Sequence, residues 1–181
     1  MKTILESLRI HLVLTVLTGF AYPLVVTAIA RIAFRDAASG SIATQGNEAV
    51  GSKLLAQKTE SPKYFWPCPS GADFATVASG ASNKGPTSAD LAKSIAERRE
   101  KFGKDAPDEL LTASGSGLDP HLSPAAAKYQ APRVATARNL PVETVNTLID
   151  RLTESSQFGF LGEPRVNVLA LNLAIDALEG R

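Results

Sequence analysis

Leu12–Ala30 reads LVLTVLTGFAYPLVVTAIA, and the twenty-one positions between Arg9 and Arg31 carry no formal charge beyond whatever His11 holds. At about 1.5 Å per residue, a helix of this length crosses a hydrocarbon core. Ten residues of the quoted stretch are Leu, Ile, Val or Phe. Near the bilayer centre they contribute about −3 to −6 kcal/mol of insertion free energy. Gly19, Pro23 and three threonines erode that figure without reversing it. Pro23 predicts a kink, which lipid tolerates where a neighbouring helix covers the freed carbonyl. The stretch reads as one transmembrane helix over residues 10–34, with residues 1–9 forming a short amino-terminal segment.

Two other readings compete with a span. A basic start before an apolar run also describes a secretory signal, and Ala28-Ile29-Ala30 fits the small-x-small cleavage pattern. The run is longer than a usual signal core, and its amphipathic lead-in reaches back to Ile4. A buried core helix would need a large domain around it, and the rest of the chain is too polar for that. Lys2 and Arg9 precede the span while Arg31 and Arg35 follow it. The charge count leans only slightly towards a cytoplasmic amino terminus, with the bulk of the chain on the other side.

About 145 residues follow, one ordinary domain. Lys+Arg 19 against Asp+Glu 18 gives no basic field for nucleic acid. Cys68 is the only cysteine, so neither an internal disulfide nor a cysteine-based zinc site is possible. Thirteen glycines and eleven prolines point to a turn-rich fold.

Residues 35–49 are small and polar and read as a linker; the soluble domain then covers 50–181. Tyr64-Phe65-Trp66, hemmed by Pro62, Pro67 and Pro69, reads as an aromatic core wedge that cannot be a long strand. Thr87, with Asp90 three residues on, predicts a capped helix that Gly103 stops. Glu109–Ser114 reads as a strand entering the turn Gly115-Ser116-Gly117. Ser123-Pro124 opens a helix, and Pro132 and Pro141 open two more, the last carrying the stripe Val142, Val145, Leu148, Leu152. A short strand at Arg165–Asn167 precedes a final helix that Asn167 can cap. The fold class expected is α+β: one amino-terminal transmembrane helix and a single loop-rich extracytoplasmic domain.

The chain offers little catalytic chemistry. No Gly-x4-Gly-Lys-Ser/Thr run cradles a phosphate, and no Asp-Lys-Thr-Gly run provides a phosphorylated aspartate. Ser116 or Ser114 with Asp119 and His121 suggests a nucleophilic triad and hence an anchored or secreted hydrolase. Gly-x-Ser-x-Gly is met at neither serine, however, and triads are built from distant segments. Asp119 holding its own turn, with His121 beginning a helix, is the plainer reading. Gly115–Gly117 could form a nest of amides for an anion. A free-standing solute-binding module is a further reading. His121 is the only histidine outside the span, so a metal site has few ligands to draw on, and none is expected.

Longer segments say more. TASGSGLDPHLSPAAAKYQAPRVATAR at Thr112–Arg138 and FLGEPRVNVLALNLAID at Phe160–Asp176 stand out. With GSKLLAQ at Gly51–Gln57, KYF at Lys63–Phe65 and ASGASNKGPT at Ala78–Thr87, they resemble the C subunit of the Kdp potassium-transporting ATPase over the full length. The resemblance implies a bacterial inner-membrane complex that imports potassium at the expense of ATP. Its channel-like subunit selects the ion and its P-type subunit hydrolyses ATP. The single-span subunit is non-catalytic, needed for assembly, and raises the ATP affinity of the hydrolysing subunit. ATP and the potassium ion belong to the complex, and this chain alone is expected to bind no cofactor; lipid surrounds the span. A domain outside the cytoplasm cannot touch cytoplasmic ATP, so that effect is allosteric, through unequal binding to the pump's conformational states.

The resemblance marks Ser114, Gly115, Ser116, Gly117, Asp119, Pro120, Gln130, Arg133, Arg138, Asn167 and Asn172 as partner-interface or structural positions. Gly19 and Pro23 are the positions expected to pack the span against a partner helix. Arg133 and Arg138 could equally pair with acidic groups inside the domain. The chain departs from the family pattern at Cys68 (generally Arg), Ala81 (Gly), Lys84 (apolar) and Ala170 (Glu).

Overall fold

A computed structural model describes residues 2–179, in two compact units divided between Ile42 and Ala43. The first unit is the amino-terminal helix. Helix α1 (Lys2–Val16) passes through a wide π-helical turn (Leu17–Ala21) into α2 (Tyr22–Ala33). Together they make one helical rod, long and apolar enough to cross a membrane, with its apolar stretch exposed. The wide turn answers the proline. Pro23 has no N–H, and its ring would crowd the carbonyl of Gly19 in a regular α-helix. The chain instead closes a longer ring just before it, with Tyr22 N–H donating to the Leu17 carbonyl. Thr15 and Thr18 send their hydroxyls back to the carbonyls of His11 and Leu14, at 2.8 and 2.7 Å. No polar group of those side chains is left bare.

The stretch read as a linker has structure of its own. A single turn, α3 (Arg35–Ala38), leads to a hairpin of β1 (Ile42–Gln45) and β2 (Glu48–Ser52). Gly46 sits at φ +63°, the first position of a two-residue hairpin turn, where a glycine avoids strain.

The second unit is built on three helices and a small sheet. Helices α6 (Pro124–Arg138), α7 (Val142–Leu152) and α8 (Val168–Glu179) pack around β3 (His121–Leu122), β5 (Arg165–Asn167) and β4 (Thr153–Glu154). The sheet is antiparallel in the order β3-β5-β4, with Leu122 opposite Val166 and Thr153 on the other side of Val166. Helix α6 turns a row of small residues inward: Ala126, Ala127, Ala131 and Ala135 are all buried. Their size lets Val145, Leu148 and Ile149 of α7 come close, so the 3.6-residue stripe is the core face as expected. Leu171 and Ile175 of α8 close the core from the other side.

Several expectations change here. Helix α4 (Ala89–Phe102) is capped by Ser88, whose Oγ accepts from Leu91 N–H, and not by Thr87 one residue earlier. It ends at Gly103 as expected, with φ +105°. Glu109–Ser114 is no strand: α5 (Asp108–Leu111) is one helical turn that buries Leu110 and Leu111 side by side. Pro132 lies inside α6 and opens nothing. The helix carries through it with Pro132 exposed, forgoing the N–H bond that this residue cannot make. His121 belongs to strand β3, drawn there by pairing with Asn167 across the sheet. The α+β class, the Ser123-Pro124 start and the short strand before α8 hold as read.

Candidate functional site

The segment from Pro62 to Trp66 cannot join a sheet, because prolines at 62, 67 and 69 remove the donors a ladder needs. From Tyr64 to Trp66 it is nevertheless buried or half-buried, and the peptide groups there must find partners. Side chains from α6 and α8 supply them. Asn172 accepts from Phe65 N–H at 2.8 Å and donates to the Phe65 carbonyl at 3.0 Å. Gln130 does the same for Trp66, at 3.0 and 2.9 Å. Arg133 donates to the carbonyls of Pro62 (2.7 Å) and Tyr64 (3.0 Å), and Arg138 Nε to that of Lys63 (2.6 Å). Five successive carbonyls are thus held by four side chains. Among the described residues the buried polar side chains are Gln130, Arg138 and Asn172, and all three serve this segment.

Charge is compensated locally. The Arg138 guanidinium, its side chain 1% exposed, meets Asp176 of α8 at 2.6 Å and lies over the Tyr64 ring. Arg133 stacks 3.8 Å from the Trp66 centroid, while Lys101 Nζ sits 4.2 Å from the same ring. Burial pulls the Arg133 guanidinium down to about 10, which leaves it charged at neutral pH. Phe65 drives fully into the core, the wedge that its prolines suggested.

A second cluster of marked residues forms the loop before α6. Ser114 N–H donates to the Pro69 carbonyl at 2.9 Å and Gly117 N–H to Ser114 at 3.2 Å. Gly117 lies at φ +71°, and a Cβ there would come within 2.8 Å of the Gly80 carbonyl oxygen. Only glycine lets the two loops approach so closely. Ser116 Oγ accepts from Leu118 N–H, and Pro120 offers its carbonyl to Val168 N–H at 2.9 Å. Asp119 accepts from the backbone of His121 at 3.0 Å, the turn-holding role expected of it. Asn167 caps α8 through Ala170 N–H at 3.0 Å and donates to Lys53 at 2.7 Å.

No hydrogen bond among the described residues joins His121 to Ser114 or Ser116; His121 Nδ1 faces Asp119 at 3.5 Å and nothing nucleophilic. Of the nest read at Gly115–Gly117, the Gly117 amide is committed to the Ser114 carbonyl. Among the described residues no group of three or more His, Cys, Asp or Glu side chains could hold a metal ion. What the arrangement does chemically is hold the proline-flanked segment Pro62–Trp66 in place.

The family profile described as "K+-transporting ATPase, c chain" matches residues 4–177. The chain belongs to the KdpC family. It is 48% identical to the potassium-transporting ATPase KdpC subunit of Paraburkholderia phytofirmans, over 94% of each chain. The KdpC subunit of Methylococcus capsulatus is 48% identical over 95% of this chain and 96% of that one. That of Geobacter sulfurreducens is 46% identical over 98% and 99%.

Three residues of this KdpC chain matter structurally without having been marked. Asp176 neutralises Arg138, yet nothing in its sequence surroundings distinguishes it from any acid on a helix. Glu109 accepts from Ser123 N–H at 2.8 Å and Ser123 Oγ at 2.6 Å, anchoring the start of α6. Its carboxylate also lies 3.6 Å from Cys68 Sγ. Lys101 of α4 places its Nζ over the Trp66 ring, and the aromatic cluster was the available signal for a cation.

Proposed function

We propose that this chain is the non-catalytic accessory subunit of an ATP-driven potassium-transporting complex. Membership of the KdpC family across residues 4–177 is the observation that carries this reading. In it, the helical rod Lys2–Ala33 anchors the chain once in the inner membrane, amino terminus in the cytoplasm. Residues 43–181 stand outside the cytoplasm against the channel-like subunit. Gly19, with open space around its Cα, and the adjoining wide turn offer a partner helix close approach. The loop Ser114–Pro120 and the exposed flank of α6 are the docking surface.

The subunit raises the ATP affinity of the P-type subunit by favouring one of its conformational states from the far side. ATP and potassium are bound by the other subunits. A rigid body suits that role, because a compliant domain would absorb the binding free energy that must bias the pump. The hydrolase reading is not favoured, since among the described residues no serine hydrogen-bonds to His121.

Purifying the complex with and without this chain, then measuring potassium-stimulated ATP hydrolysis against ATP concentration, tests the proposal. Omission should raise the KM for ATP or abolish activity. Unchanged kinetics from an intact complex lacking the chain would overturn it.

A further inference from the structure

The connection between β4 and β5 carries the most exposed aromatic residues of the second unit. Phe158 is 86% and Phe160 78% exposed, with Leu161 beside them at 49%. They sit on a tight turn: Gln157 and Leu161 exchange both backbone hydrogen bonds at 2.9 Å. Phe158 stands at φ +53°, a left-handed conformation that a bulky residue rarely adopts. Apolar side chains scattered singly on a surface need no explanation, but three together on a strained tip do.

We infer that the Phe158-Gly159-Phe160-Leu161 tip is a membrane-surface wedge that enters the interfacial layer of the bilayer carrying the helix. This rests on the reading that the rod Lys2–Ala33 is the anchor. Three observations favour lipid over a protein occupant. First, the turn closes on itself: the N–H groups of Gln157, Gly159, Phe160 and Leu161 are all bonded to carbonyls within it. A loop that meets the acyl boundary is helped by donors already paired, since hydrocarbon offers no partners. Second, three side chains on a narrow turn fall far short of the roughly 800 Å² per partner that a stable protein interface buries. Third, only Phe34 to Ile42 separate the rod from the second unit, a reach of at most about 30 Å. Insertion too weak to recruit a free protein becomes effective once the domain is tethered. The flanking charges do not drive it: Arg165 is paired with Glu154 at 3.1 Å, and Glu163 adds a negative charge. Zwitterionic lipid therefore suffices.

The test places a nitroxide at Phe160→Cys in the full chain, reconstituted in phosphatidylcholine vesicles, and compares its collisions with oxygen and with a water-soluble nickel chelate. Cys68, buried, is left unlabelled in the folded chain. Leu17→Cys in the rod and the fully exposed Val77→Cys serve as references. The expected result is loss of chelate collisions with retained oxygen collisions at 160, as at 17, while 77 meets the chelate freely. Free chelate access at 160 with 17 in lipid would overturn the wedge alone. Chelate access at both would overturn the anchor with it. A label shielded from both reagents would assign the tip to a protein contact, overturning the wedge. Phe158→Ser with the label at 160 should restore chelate access; no change there also counts against it.

Discussion

Asn172 holds the peptide of Phe65 at both ends, accepting from its N–H at 2.8 Å and donating to its carbonyl at 3.0 Å. A neighbouring strand would make the same pair of bonds, and a side-chain amide on α8 replaces it. Asn172→Ala strands one buried donor and one buried acceptor. The expected loss is about 2–6 kcal/mol, from about 1–3 for each unpaired group. Gln130→Ala, whose partner Trp66 is half-exposed, should lose less. Trp66 is the only tryptophan and sits in the clamp, so its fluorescence during urea unfolding reads both.

The Arg138–Asp176 pair is asymmetric, with side chains 1% and 19% exposed. Removing Asp176 takes away the carboxylate 2.6 Å from a guanidinium whose side chain is buried, whereas removing Arg138 leaves a carboxylate that water can reach. Asp176→Ala is therefore expected to cost about 3–5 kcal/mol, and Arg138→Met less. Urea midpoints for the two variants should fall in that order.

Cys68 is held protonated. Burial first, then the nearby Glu109 and Asp119 carboxylates, push its thiol from 9.0 up to about 12. An unfolded chain releases this proton near 9.0 while the folded one keeps it, so stability falls as pH rises from about 9 to 12. Below 9 the group contributes no slope. Cys68→Ala should flatten that part of the profile. Because the thiolate is the nucleophile, the folded protein should resist alkylation at pH 8 and react only once denatured.

Phe158 occupies a left-handed conformation at φ +53° with its ring in the open. Phe158→Gly removes the Cβ clash and gives up little packing. It should raise stability by about 1 kcal/mol in thermal unfolding of the detergent-solubilised chain. A residue that lowers stability where it stands, and whose removal improves it, is consistent with a duty other than folding.

Much of this was readable from local pattern. The apolar rod, the Ser123-Pro124 start, the Asn167 cap and the α7 stripe are each carried by one continuous run of residues. The failures were non-local. His121 is a strand residue only because Asn167 lies opposite it, and the chain between them gives no sign of that pairing. Leu110 and Leu111 looked like a strand because two adjacent buried leucines fit a fully buried strand as well as a single helical turn. Gln130, Arg133, Arg138 and Asn172 were marked by the family resemblance, whereas their target was hidden. The bonds span 64 residues for Gln130–Trp66 and 107 for Asn172–Phe65. A segment barred by proline from every sheet still has to satisfy its peptides, and that requirement could have prompted a search for amide side chains.

The wide turn at Leu17–Ala21 has a geometric consequence for whatever lies alongside the rod. One extra residue in a turn rotates everything beyond it by about 100° relative to an unbroken helix. A row of side chains aligned along α1 is therefore not continued along α2, and the two halves present different meridians to one neighbour. Deleting a single residue there would bring the meridians back into line, changing which side chains that neighbour meets while leaving hydrophobicity almost untouched.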